Sequence, residues 1–279
     1  MKTVFIAVDF SAASLDACKV GIELAEQWKA KVILFHAFKS AVSIPEAFAV
    51  INSDELKYTA EKELQKLSLK LIGEKPIKYE VMAADGDPAE LILRYIQKYE
   101  DPLVVCGLKL KGKLLMRLFG DVITGLLTHI HFPMLVVPEG KGLFNWSKIV
   151  FATDFHLDTD IRTLSPILSF AKLNSAQISV LRIMSTDAAV IEEMNYRSER
   201  ITDFLSAYQP SFVFLRSDDV SDCICKYIKQ HKTDLLVMIT KPHSFLERVF
   251  DKSETRTVLH ELSVPLLLLP EITIHLSKQ

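Results

Sequence analysis

Two glycines separated by twelve residues, Gly107 and Gly120, bracket a loop that carries Lys109, Lys111, Lys113 and Arg117. Glycines let main-chain N–H groups approach an anion closely, and cations beside them add favourable charge. Asp121 follows the second glycine and opposes it. A carboxylate in contact with a phosphate is repelled by about 1–4 kcal/mol at effective dielectrics between water and a protein surface. The cations then have two readings: a phosphate clamp that replaces the glycine cradle, or a solvated loop that neutralises Asp121. The second is preferred. Asp9, in Asp9-Phe10-Ser11, is suited to accept from a sugar hydroxyl, and capping of the following helix is its alternative role.

No other group of residues assembles a reaction. Cys223 and Cys225 stand one residue apart, but zinc would need a second ligand pair at matching spacing, which the chain lacks. His129 and His131 would point to different helix faces, a helix-end surface feature. His156, His231, His243 and His260 are scattered, with no His-Glu-x-x-His. His36 ends an otherwise apolar strand pattern; it either faces a pocket or is a satisfied polar residue at a strand end. The turn Asp9-Phe10-Ser11-Ala12-Ala13-Ser14 has no glycine, and neither Gly-x-x-x-x-Gly-Lys-Ser/Thr nor Gly-x-Gly-x-x-Gly occurs. Ser, His and Asp share no local triad signature. The expectation is a protein that binds and does not catalyse.

The elements that must position these residues come from a repeat. A chain of 279 residues exceeds one ordinary core, and two domains are expected, 1–143 and 144–279. Val4-Phe5-Ile6-Ala7-Val8-Asp9-Phe10 returns as Ile149-Val150-Phe151-Ala152-Thr153-Asp154-Phe155, offset by 145. At an offset of 132, the stretch Asp87–Ile96 returns as Asp219–Ile228, Leu103–Val105 as Leu235–Val237, and Pro133–Glu139 as Pro265–Glu271. The second copy therefore lacks about 13 residues (145 − 132) between its second and third strands. The alignment puts Cys223 and Cys225 on Leu91 and Leu93, as packing residues.

Within each copy, strand and helix patterns alternate. Val4–Val8 is an apolar run fit for a strand covered on both faces. Ser11 caps a helix with Leu15, Cys18, Ile22 and Ala25 on one face. Strands are expected at Val32–His36, Lys78–Met82, Leu103–Cys106 and Met134–Val137, with a long helix bearing Leu56, Ala60, Leu64, Leu67 and Leu71. Asp87-Pro88-Ala89-Glu90 has the cap, first-position proline and third-position acid of a helix start, and a further helix is expected over Val122–Thr128. Such alternation implies a parallel sheet with right-handed crossovers. In the second copy, Pro166 either kinks the first helix or delays its start.

Three signatures together resemble the universal stress protein family, in a tandem form that spans nearly the whole chain. They are Asp9-Phe10-Ser11, then Gly86-Asp87-Pro88-Ala89-Glu90-Leu91-Ile92, and then Gly107 with Phe119-Gly120 and Pro133-Met134-Leu135-Val136-Val137-Pro138. The resemblance implies an α/β fold of two tandem Rossmann-like (adenine nucleotide α-hydrolase-like) domains. Each would be a five-stranded parallel sheet flanked by helices, the pair related by a pseudo-twofold axis. It also implies a stress-response role in the cytoplasm.

Nucleotide-binding members carry Gly-x2-Gly-x9-Gly-Ser/Thr. Here the outer glycines, Gly107 and Gly120, keep the frame, but Leu110 and Asp121 take the second glycine and the hydroxyl. In the second copy the glycine positions hold Ile239, Pro242 and Lys252, with Ser253 last. By resemblance, a base and ribose in the first copy would lie at Ala7, Val8, Asp9 and Ala37, and phosphates at Gly107, Gly120, Asp121 and Val122. Adenosine or AMP is therefore expected ahead of ATP, bound weakly, and the second copy, where Asp154 marks the old adenosine end, is expected to hold no nucleotide. A scaffold that binds no nucleotide is the alternative.

Composition agrees with a soluble binding protein. Hydrophobic residues make up 49% and charged residues 24%, and the net charge of −2 without a basic run argues against nucleic-acid binding. Met1–Ile6 is too short an apolar run for a signal peptide, and no stretch approaches the ~20 apolar residues of a membrane helix. Four cysteines, mostly in apolar surroundings, read as reduced thiols of a cytoplasmic protein. The apolar strands Met134–Val137 and Leu266–Leu269 carry no protective lysine. They are expected to pair with each other in an intramolecular pseudo-dimer.

Overall fold

Strands form where apolar runs can be buried on both faces, and helices form where a capping residue precedes an apolar stripe. A computed structural model describes residues 1–40, 53–109, 121–127, 129–140, 144–153, 160–184, 199–240 and 264–270. The chain divides into two compact units, Met1–Ile130 with Val136–Leu143, and His131–Leu135 with Phe144–Gln279.

The first unit contains β1 (Thr3–Ala7), α1 (Ala12–Trp28), β2 (Lys31–Phe38), α2 (Ser53–Leu71), β3 (Tyr79–Asp85), α3 (Pro88–Ile96), β4 (Pro102–Leu108), α4 (Asp121–Leu127) and β5 (Met134–Pro138). Its strands lie in the order β3-β2-β1-β4-β5. The β1–β2, β1–β4 and β2–β3 pairs are parallel. Val4, Phe5, Ile6 and Val32 to Leu34 have no exposed surface, as expected of strands covered on both faces.

Ser11 caps α1: its side chain accepts from the Ser14 N–H at 3.3 Å, and the helix ends at Lys29 in the left-handed region. Asp87 caps α3 by accepting from the Ala89 and Glu90 N–H groups at 2.9 and 3.2 Å, with Pro88 in the first helical position. In α2 the buried line is Ala60, Leu64 and Ser68. The expected leucine stripe is thus rotated by a residue, and Leu56, Leu67 and Leu71 remain half-buried. Ser68 is tolerated inside because its hydroxyl donates to the Gln65 carbonyl at 2.8 Å.

The second unit repeats the pattern with β6 (Lys148–Ala152), a 3₁₀ turn (Ile161–Leu164), α5 (Ser165–Ala171), β7 (Gln177–Met184), a helical stretch over 199–204, β8 (Ser211–Arg216), α6 (Val220–Gln230), β9 (Leu235–Thr240) and β10 (Leu266–Pro270). Its strand order is β8-β7-β6-β9-β10, the same topology. The register repeats as well. Val4 pairs with Leu103 in the first unit, and their repeat partners Ile149 and Leu235 pair in the second. Asp219 caps α6 as Asp87 caps α3, accepting from the Asp222 N–H at 2.8 Å.

Pro166 lies in the first turn of α5 after the 3₁₀ turn, where its missing N–H costs nothing. The α-helix therefore starts late and is not kinked. Four strands of the first unit run longer than their apolar patterns suggest, β2 to Phe38, β3 to Asp85, β4 to Leu108 and β5 to Pro138. Among the described residues no helix is long and apolar enough to cross a membrane.

Candidate functional site

In the first unit β1 has β2 on one side and β4 on the other, while the chain runs β1 to β2 to β3 before crossing back to β4. The β1/β4 boundary is thus the topological switch point, where open α/β sheets bind ligands beyond the carboxyl ends of their strands. Ala7, Val8 and Asp9 end β1, Ala37 lies near the end of β2, and Gly107 near the end of β4. The parallel pairing brings these five to one edge of the sheet: Ala7 pairs with Phe35, Ile6 pairs with Val105, and the Val8 N–H donates to the Phe35 carbonyl at 2.7 Å.

Gly120, with Leu110, Lys111, Lys113 and Arg117, lies outside the described residues. The main chain of Asp121 opens α4, and Val122 is half-buried in its first turn.

Asp9 does not cap α1, because Ser11 holds that position. Its Oδ1 instead accepts from the Ser11 N–H at 2.9 Å, while its own N–H donates to Ser14 Oγ at 3.3 Å. Burial pushes the Asp9 carboxyl up, but hydrogen bonds from Ser11 and Ser14 and the charge of Lys109 outweigh it and hold the group below its ordinary value. Asp9 is therefore an ionised acceptor, one oxygen of which is engaged by the loop itself.

The residue after it, Phe10, has φ +60°, an unusual place for an aromatic side chain, and is 38% exposed. Its ring centroid lies 4.9 Å from that of His36. His36 Nδ1 lies 2.7 Å from the Val8 carbonyl oxygen. A carbonyl only accepts, so Nδ1 carries the proton. The reading of His36 as a satisfied polar residue near a strand end therefore holds on one nitrogen, with the Phe10 ring against it.

Gly107 has a packing reason for being glycine. A Cβ there would lie 2.3 Å from the Ala13 carbonyl carbon and oxygen and 2.6 Å from the Ser14 nitrogen, so the start of α1 packs directly on the end of β4. Cys18 and Cys106 are buried, and burial first, with the Asp9 charge second, pushes both thiols up to about 12. Neither is a nucleophile at neutral pH.

At the outer side of this edge, Ser40 donates through N–H (3.0 Å) and Oγ to the Asp85 carboxylate, and Ser53 Oγ lies 3.5 Å from it. The Ser40 bonds hold Asp85 below its ordinary value. This clasp had no signature in the sequence, since its partners are 45 residues apart and each is an ordinary polar residue.

The second unit has a different set at the equivalent edge. The Thr153 N–H donates to the Leu181 carbonyl at 3.0 Å, reproducing the Val8–Phe35 bond, so the register equates His36 with Arg182. Buried Ile239 stands in place of Gly107, and the next residue, Thr240, donates to the Leu269 carbonyl at 3.0 Å. Asp154, Pro242, Lys252 and Ser253 lie outside the described residues.

Among the described residues no three metal-ligating side chains come together. Cys225 is buried and Cys223 half-buried, both as free thiols, in the packing positions the repeat assigns. His129 follows α4, and the His131 ring meets Phe132 edge-on at 5.0 Å.

The model of the universal stress protein family matches residues 1–138 and again 145–270. A universal stress protein of Methanocaldococcus jannaschii is 29% identical over 143 residues, covering 50% of this chain and 84% of that protein. A universal stress protein from Archaeoglobus fulgidus has a similar solved structure, with a TM-score of 0.72 at 15% identity, covering 96% of both chains. A functionally unknown protein from Pseudomonas aeruginosa matches with a TM-score of 0.61 at 15% identity, over 97% of this chain and 93% of that one. Two matches of the family model, one on each copy of the repeat, carry the conclusion: the chain belongs to the universal stress protein family as a tandem pair of its domains.

Proposed function

We propose that the first unit binds an adenosine-like ligand, adenosine or AMP ahead of ATP, that the second unit holds no nucleotide, and that the chain acts in a stress response by binding and not by catalysis. The observation that carries this reading is the asymmetry of the two switch-point edges. The first presents an ionised Asp9, a half-exposed Phe10 and a histidine anchored on Val8. The second has Arg182 and Ile239 at the matching places of His36 and Gly107. Ionised Asp9 accepts from Ser11, and a carboxylate has acceptor capacity beyond that bond for a ribose hydroxyl. Leu110 counts against a triphosphate because its side chain blocks close approach of main chain to phosphate, and Asp121 because a carboxylate repels one.

Isothermal titration with adenosine, AMP and ATP tests the reading. One weak site per chain is expected, ordered adenosine and AMP over ATP, with affinity lost in Asp9→Ala. Two ATP equivalents per chain, or ATP turnover abolished by Asp9→Ala, would discard it. The scaffold alternative has one observation in its favour: the packing of α1 on Gly107 explains that glycine without any ligand. Absence of heat with all three nucleotides would favour that alternative.

A further inference from the structure

We infer that His36 is the residue by which the first unit selects a 6-aminopurine. The inference rests on the adenosine-binding reading and adds to it the group that reads the base. Nδ1 is fixed as the donor by the Val8 carbonyl at 2.7 Å. In the neutral ring that leaves Nε2 as an acceptor, and no described residue bonds it. The ring is half-buried, its tautomer and tilt held from two sides, by Val8 and by the Phe10 ring. An acceptor presented this way, beside a half-exposed aromatic ring, matches a flat heterocycle that carries an outward N–H donor.

Within the purine nucleosides the exocyclic amino group of adenine is such a donor, and purine riboside lacks that group alone. A site that bonds an N–H rejects an analogue without it, because the acceptor is then left unpaired. The half-exposed setting reduces the effect from the roughly 10⁴-fold or more of a sealed pocket to about tenfold. Phe10 serves both nucleosides alike, since stacking does not depend on the amino group. Arg182, the counterpart in the second unit, has donors only and cannot take this role.

The test is calorimetric titration of the whole chain with adenosine and with purine riboside. Wild type is expected to bind adenosine about tenfold tighter, equivalent to about 1.4 kcal/mol. His36→Leu, which keeps the bulk and removes the acceptor, is expected to bring the two within threefold. His36→Gln, which can donate to Val8 and still offer an acceptor, is expected to keep the preference and covers the case in which the leucine variant fails to fold. Equal affinities in wild type, a preference that survives His36→Leu, or its loss in a folded His36→Gln would each overturn the inference while the adenosine site stands. No binding of either nucleoside would overturn both.

Discussion

Opposing forces on single side chains decide what the first unit can present to a ligand. At Asp9, burial disfavours the charge, and the Ser11 and Ser14 hydrogen bonds with the nearby Lys109 win. A carboxyl held below its unfolded value stabilises the fold at pH values above the ordinary 3.8, and that contribution disappears as pH falls through the lowered folded value. Melting of wild type and Asp9→Ala is therefore expected to differ at pH 7 and to converge in strong acid. A gap that widened in acid would reverse the sign assigned to Asp9. The same competition has the opposite outcome at Cys18 and Cys106, where burial and the Asp9 charge prevail, over Lys19 at Cys18, and both thiols are pushed up to about 12. Cys225 is also buried, and Cys223 is the half-buried exception. Ellman's reagent at pH 8 should label a single thiol quickly, that of Cys223, and the other three only on unfolding; fast labelling of Cys106 would mean that the β4 end is more open than described.

Among the elements, the caps were legible in the sequence because they are local. Asp87-Pro88-Ala89-Glu90 states a helix start in four adjacent residues, and the structure puts the cap, the proline and the acid in those roles. Ser11 was legible for the same reason. The Phe10–His36 pair and the Ser40–Asp85 clasp were not, because they depend on how strand ends are brought together over 26 and 45 residues, and on a positive φ at Phe10 that no residue type announces.

Gly107 shows the limit in another way. By family resemblance its spacing to Gly120 implies phosphate, yet the close approach of α1 at Ala13 already demands glycine. The second unit supports this account: where Ile239 replaces the glycine, the 17-residue α1 is answered by a 3₁₀ turn and a seven-residue α5 that begins late, behind Pro166. Gly107→Ala is accordingly expected to cost about 1–3 kcal/mol through overpacking against main chain that cannot rotate away. Thermal melting checks this, and an unchanged midpoint would show that α1 can shift freely off β4.

At the scale of the whole molecule, one topology has been used twice with two degrees of chemical retention. Strand order and register are the same in both units, so the two strand-end edges differ in their side chains and not in the sheet. Its core remains intensively apolar: Leu267, Leu268 and Leu269 of β10 have no exposed surface, and Ile239 is buried. On the proposed reading, a lobe packed in this way is not expected to gain a binding site by one substitution. Ile239→Gly would remove a buried side chain, with a cost of about 2–5 kcal/mol for the lost contacts and cavity and a further 0.5–1 kcal/mol for glycine in a strand. The vacated space would face a first helix that starts too late to reproduce the Ala13–Gly107 approach. Titration of Ile239→Gly with adenosine should therefore show a lower melting temperature and still no more than one site per chain. A second equivalent bound would mean that a single residue had been closing an otherwise intact site, and that the two lobes differ far less than their strand ends indicate.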